Sequence, residues 1–198
     1  MDIPVSPVRT ETEIRRSRFI TDLEIVSDRS QAEDRIRFRR VEHPGATHVV
    51  YAFVVGPARS QQWGMSDDGE PKGTAGRPVL EILKGSGLTN VLATVVRYYG
   101  GIKLGTGGLV RAYGDALRQG LALVERQPLR ELSLKNITCS YDMHNPVRST
   151  LERFGAEIRD EAFSETVSLL FAVDQEHLDA LGEELRDVSR GTISIGKT

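Results

Sequence analysis

The sequence predicts an α+β protein of two successive domains, with a boundary near residue 130. Three observations lead there. An apolar run, Val91-Leu92-Ala93-Thr94-Val95-Val96, empties into a glycine-rich stretch that opens onto an amphipathic helix. Residues 131–198 read strand, helix, strand, strand, helix, strand, the βαββαβ order of a ferredoxin-like sandwich. Between these regions Pro128 interrupts the helical pattern in Arg126-Gln127-Pro128-Leu129-Arg130. Domains are therefore expected at 1–130 and 131–198.

The elements follow in order. Thr12 to Val26 alternates and breaks near Arg16-Ser17-Arg18, the pattern of a hairpin or two short strands. Ser30-Gln31-Ala32-Glu33 matches a capping box, so a basic helix is expected from Ser30 to about Glu42, stopped by His43-Pro44-Gly45. Thr47 to Val55 is an apolar strand, paired through the turn at Gly56-Pro57 with a second over Gln61 to Met65. Thr74 is placed to cap a helix to about Lys84, with Pro78 tolerated near its first turn. Asn90 to Tyr99 is apolar on both faces, as a central strand covered by helices would be. Gly107 to Arg126 is expected to be a long helix, its core face drawn by Leu109, Val110, Ala112, Tyr113, Ala116, Leu117, Leu121 and Val124. In the second domain, strands are expected at 131–141, 156–160, 166–173 and 192–195. Helices are expected at 145–154, ended by Gly155, and at 175–188.

Composition bounds the function. With 198 residues, 39% hydrophobic and 27% charged, the chain is long enough to bury one large core or two small ones. No apolar run approaches the roughly 20 residues that cross a bilayer, and the first residues lack the basic start and apolar core of a signal peptide. A single cysteine, Cys139, excludes internal disulfides and cysteine-rich zinc sites. These features predict a cytoplasmic protein without a membrane contact. The net charge of −2 divides unevenly, with 19 basic against 16 acidic residues in 1–132 and 7 against 12 in 133–198. A general polyanion binder is more basic than this, so any nucleic-acid contact is expected to be a local patch.

The chemistry concentrates in Arg97 to Tyr113, RYYGGIKLGTGGLVRAY, with five glycines, three cations and no acid. A bare loop at the positive end of a helix dipole can bring several backbone N–H groups to one anion, phosphate above all. The candidate anion- or RNA-binding residues are Arg97, Gly100, Gly101, Lys103, Gly105, Thr106, Gly107, Gly108 and Arg111. The bland alternative is that the glycines only permit a sharp turn and close packing. The GxxxxGK[ST] spacing is absent, which argues against ATP hydrolysis. Upstream lies a second glycine-rich segment, 66–76, holding Asp67, Asp68 and Glu70. These carboxylates can order the loop by ion pairs with Arg97, Lys103 or Arg111, form a solvated turn, or hold Mg²⁺. His43 and His48 form no evident ligand pair, Trp63 is a core, interface or base-stacking residue, and no nucleophile–base constellation assembles. No catalytic residue and no cofactor is assigned.

SDDGEPKGTAGRP (66–78) followed by VVRYYGGIKLGTGGLVRAYGDAL (95–117) closely resembles the YigZ/IMPACT family of bacteria and eukaryotes. The resemblance runs from Ser17-Arg18-Phe19-Ile20 through His43-Pro44-Gly45-Ala46-Thr47-His48 into the second domain. It implies an N-terminal IMPACT-like domain of the ribosomal-protein α+β type, as in domain IV of elongation factor G. It also implies a small C-terminal domain similar to one of that factor. Close bacterial relatives tend to read His-His-Cys where this chain has His48-Val49-Val50, so thiol chemistry does not carry over. Eukaryotic members regulate translation through a ribosome-associated partner. The resemblance thus implies a non-enzymatic protein that binds RNA or a ribosome-associated protein, in translation or stress response. The alternatives are an enzyme or sensor of a phosphorylated small molecule or nucleotide, and a protein-interaction module. The partner and the oligomeric state are left open.

Overall fold

The computed structural model describes residues 1–195. The chain divides into two compact units, Met1–Leu129 and the segment from Arg130 on.

The first unit is organised on a five-stranded antiparallel sheet. Its strands are β2 (Val8–Ile14), β3 (Ser17–Ile25), β4 (His48–Val55), β5 (Gln62–Ser66) and β6 (Val91–Tyr98), in the order β2-β3-β6-β4-β5. β6 is the middle strand and its residues are buried on both sides. Val91, Ala93 and Val95 join the larger core with Val79, Leu83, Tyr113 and Leu117 of helices α2 (Gly76–Gly85) and α3 (Gly105–Leu121). Leu92 faces the other way, with Ala32 and Ile36 of α1 (Arg29–Glu42). A period-2 apolar strand with helices on both faces follows from this alternation.

Helix starts depart from the sequence expectation. Asp28, not Ser30, caps α1. Its carboxylate accepts the Gln31 N–H at 2.9 Å, and Gln31 Oε1 accepts the Ser27 N–H at 2.6 Å. Thr74 does not cap α2; its hydroxyl donates to the Pro71 carbonyl at 2.7 Å. α3 ends at Leu121, short of Arg126. Residues Arg126–Pro128 form β7, which pairs antiparallel with β1 (Asp2–Pro4). That pairing is non-local, so no local periodicity announced it.

The second unit contains β8 (Leu132–Cys139), α4 (Tyr141–Arg153), β9 (Glu157–Phe163), β10 (Val167–Asp174) and α5 (Leu178–Val188). The sheet order is β8-β10-β9, all antiparallel. Its core joins Ile137, Val167, Leu169 and Phe171 of the sheet to Val147, Leu151, Leu181 and Leu185 of the helices. The expected fourth strand at 192–195 does not form. Ile193 and Ile195 pack on the core, but the Ile193 N–H goes to Ser189 Oγ at 3.1 Å and not to a neighbouring strand. α4 begins four residues before the expected Asn145 and carries Pro146 inside it. Cys139 is buried in this core, where burial pushes its thiol pKa up.

With two separate cores and an exposed Arg130 between them, limited trypsin digestion is expected to cut first near Leu129–Arg130. Two bands stable enough to resolve by mass spectrometry check this; resistance until global unfolding contradicts it.

Candidate functional site

The site grows from the C-terminal end of β6. Arg97 lies there, 5% exposed, and its guanidinium Nη1 donates to Glu70 Oε1 at 2.6 Å. Tyr113, in the third turn of α3, donates its hydroxyl to the same oxygen at 2.8 Å. His48 of β4 sets Nε2 3.7 Å from it, and its Nδ1–H donates to the Asp68 carbonyl at 2.7 Å. Arg97 Nη2 donates to Ser17 Oγ at 3.3 Å. One carboxylate thus ties the acidic loop to β6 and α3. Burial, reinforced by the adjacent Glu70 carboxylate, drives the Tyr113 phenol far above its ordinary pKa and keeps it a donor. Arg97, grouped by sequence with the anion-binding cations, spends its two terminal nitrogens in this internal network.

The other acids of the loop also have internal work. Asp67 accepts the N–H groups of Gly73 (2.8 Å), Ala75 (3.0 Å) and Gly76 (2.8 Å), and so caps α2 from nine residues upstream. Burial opposes its ionisation, but these three amides prevail and lower its pKa. Asp68, at φ 46°, accepts the Val49 N–H at 2.6 Å and pairs with Arg40, not with Lys103 or Arg111. Among the described residues no group of three or more His, Cys, Asp or Glu is arranged to hold a metal.

The glycine loop divides by cause. A Cβ on Gly100 would lie 1.8 Å from the Arg16 carbonyl oxygen, so only glycine fits where the loop passes the hairpin turn. Gly101 and Gly105 hold φ of 85° and 72°, the left-handed region. Gly107 has neither reason: a Cβ there meets nothing within 4 Å, and on Gly108 it meets only Leu104 Cβ at 3.2 Å. Both glycines leave the first turn of α3 bare, and for Gly107, where a methyl would be free, this costs about 0.5–1 kcal/mol against alanine. Leu104 offers α3 no side-chain cap and the first turn holds no acid. α2 has Asp67 across its first amides; α3 has nothing comparable.

Around that bare turn stand cations the sequence did and did not identify. Lys103, Thr106 and Arg111 are exposed, and neither cation has an ion pair or hydrogen bond. The β2–β3 hairpin adds Arg15 and Arg16, also exposed and unpaired. They occupy both positions of a two-residue turn closed by the Ile14–Ser17 pair, at φ 48° and 64°. Such turns favour Asn-Gly, and each arginine there costs on the order of 1 kcal/mol or more. Arg15 shares a depression of about 480 Å³ with Gly107, Gly108 and Arg111. On the other side, Arg77 of α2 and Arg111 line a cleft of about 840 Å³. The Arg15-Arg16 doublet at a predicted turn was the available signal, and sequence reasoning passed over it. Trp63 lies elsewhere, half exposed on the edge strand β5 with Lys84 Nζ 5.0 Å from its ring centre.

Comparison with known proteins places this arrangement. The Impact N-terminal domain model matches residues 15–121, which hold the whole cationic site, and a domain of unknown function, DUF1949, matches residues 137–192. The chain belongs to the IMPACT family. An IMPACT family member from Haemophilus influenzae is 42% identical over 98% of this chain and 94% of its own length. The family member YigZ from Escherichia coli is 40% identical over 98% of this chain and 95% of its own. A solved structure described as that of a hypothetical protein is 39% identical, covers 100% of this chain and 96% of its own, and superimposes with a TM-score of 0.72. Within this family member, the buried Glu70 network holds the scaffold and the exposed cations lie outside it.

Two outcomes follow. Asp67→Ala is expected to lower stability by about 1–2 kcal/mol at pH 7, the usual value of a helix cap. Because the folded-state pKa of Asp67 is depressed, its contribution is full above the unfolded value of ~3.9 and is lost as pH falls through the folded value. Urea unfolding of both proteins at pH 7 and in acid checks the convergence. Gly100→Ala is expected to cost about 3 kcal/mol because the new methyl overlaps a carbonyl. Gly107→Ala is expected to leave stability equal or slightly raised, which the same measurement reads.

Proposed function

We propose that the first unit binds RNA through its phosphate backbone, as a non-enzymatic factor acting in translation or its regulation in the cytoplasm. The observation that carries this reading is the first turn of α3. It has no capping side chain, a Gly107 that no contact or backbone angle requires to be glycine, and the unpaired Lys103, Arg111, Arg15 and Arg16 around it. Aligned amides at a helix N-terminus favour an anion, and cations spread over a hairpin and a helix suit successive phosphates better than one small ion. Of the neighbouring acids, Asp67, Asp68 and Glu70 are held by other partners, and Asp115, which lines the same depressions, pairs with Arg118. A chain of net charge −2 does not bind polyanions everywhere on its surface, so contact through this patch is selective. The IMPACT resemblance supports the translational setting, since eukaryotic members regulate translation.

Fluorescence anisotropy with a short labelled single-stranded RNA tests the proposal. Affinity is expected to fall as salt rises, with a log–log slope of roughly 0.7 per phosphate neutralised. Lys103→Ala and Arg111→Ala are each expected to reduce that slope by about one contact, similarly for different sequences. An unchanged slope in both folded variants would remove the loop from RNA binding. Loss of affinity only for a sugar phosphate or free nucleotide would favour a small-molecule site.

A further inference from the structure

Beside the bare turn of α3 lies a cavity of about 270 Å³, lined by Tyr99, Pro71, Leu104 and Leu109, with Lys103 and Thr106 also on its wall and the Glu70 carboxylate, already bonded by Arg97 and Tyr113, at its side. Its walls are largely apolar, unlike the two depressions that hold the free arginines. A phosphate inside would lose its hydration without gaining enough donors, which is costly for an anion. A flat, weakly polar group has no such difficulty. The volume is also below the ~300–1,000 Å³ of pockets that enclose a whole small ligand. It suits a fragment of one.

Tyr99 is built as a platform. The residue is 44% exposed, yet its position is held twice. The Tyr99 N–H donates to Thr47 Oγ1 at 3.1 Å, and the Arg97 guanidinium lies 5.3 Å from the ring centre, within cation–π range. Arg97 cannot swing away, because Glu70 and Ser17 hold both its terminal nitrogens. The same arginine also lines the cavity, and its buried Nε–H has no acceptor. A carbonyl oxygen at the inner end of a planar ligand would supply one.

We propose that this cavity takes one unpaired nucleobase, stacked on Tyr99, with the attached phosphate at Lys103 and the first amides of α3. The proposal rests on the phosphate reading above and names the unit recognised: a nucleotide, either within a strand or free. The base enters the apolar slot and the phosphate stays at the cationic rim, so each part meets matching chemistry. Stacking tolerates any base, since every base has a π-face.

The test compares a labelled single-stranded RNA with an abasic ribose-phosphate strand of the same length, using the full chain. Stacking of one base is worth ~1–3 kcal/mol, so RNA is expected to bind about tenfold tighter than the abasic strand. Tyr99→Ala is expected to remove that tenfold while leaving the salt slope unchanged, and Tyr99→Phe to keep it. Thr106→Phe, which narrows the slot and leaves Tyr99 in place, is expected to reproduce the loss, so the result does not depend on one variant folding. Uridine monophosphate as competitor separates the sources. Displacement only at concentrations far above the RNA dissociation constant assigns the slot to a strand, and displacement at similar concentrations assigns it to free nucleotide. Equal binding of RNA and abasic strand, with Tyr99→Ala neutral and the salt slope intact, would overturn the base slot and leave phosphate binding standing. Binding of neither strand would overturn both.

Discussion

The first unit depends on one buried ion pair. Glu70 and Arg97 are both more than nine-tenths buried, and they come from a loop and a strand 27 residues apart. Removing one partner of such a pair typically costs ~3–5 kcal/mol, because the other charge is left without compensation in a low-dielectric interior. The energetic role is therefore less in net attraction than in intolerance of any other arrangement. Once Arg97 is placed by the sheet, Glu70 must come to it, and the glycine-rich segment from 66 to 76 comes with it. Tyr113 then fixes the rotation of α3 about its axis, since its phenol has to reach the same oxygen.

This constraint sorts the charges of the domain into two populations. The acids of the 67–70 loop are consumed by backbone amides, by Arg40 and by Arg97. The cations of the glycine loop and the β2–β3 hairpin are left with no counterion. A domain whose total charge is modest thereby carries a local excess of positive potential at one helix terminus. Its cost is visible in the backbone. Two arginines stand in left-handed conformation, and Gly107 weakens the start of α3 without a steric need. Departures from local preference that no packing requirement explains are expected where a surface meets a ligand.

Much of the scaffold was legible in the chain. β6 announced itself because both its faces are apolar, and α3 because its core positions recur at helical spacing over four turns. Two of the errors share an origin. Asp67 caps α2 from nine residues away, and β7 pairs with β1 across the whole unit. Each outcome is a choice between a local partner and a distant one, and a window of residues contains only the local candidate. Ion pairing of this loop's acids with Arg97, Lys103 or Arg111 was open in the sequence, and only the fold selects the Glu70–Arg97 pair.

The sequence by itself determined the family, the order of the principal elements and the region where the chemistry lies. Those properties reside in periodicity, in glycine spacing and in long motifs that survive without coordinates. Tertiary structure alone decided which charges are spent internally and which remain available. It also decided which glycines answer to a steric demand, and that Tyr99 stands held at the edge of an apolar slot. The physical reason is that ion pairing, burial and close approach are properties of pairs of residues brought together by the sheet, and linear sequence carries no distance between them.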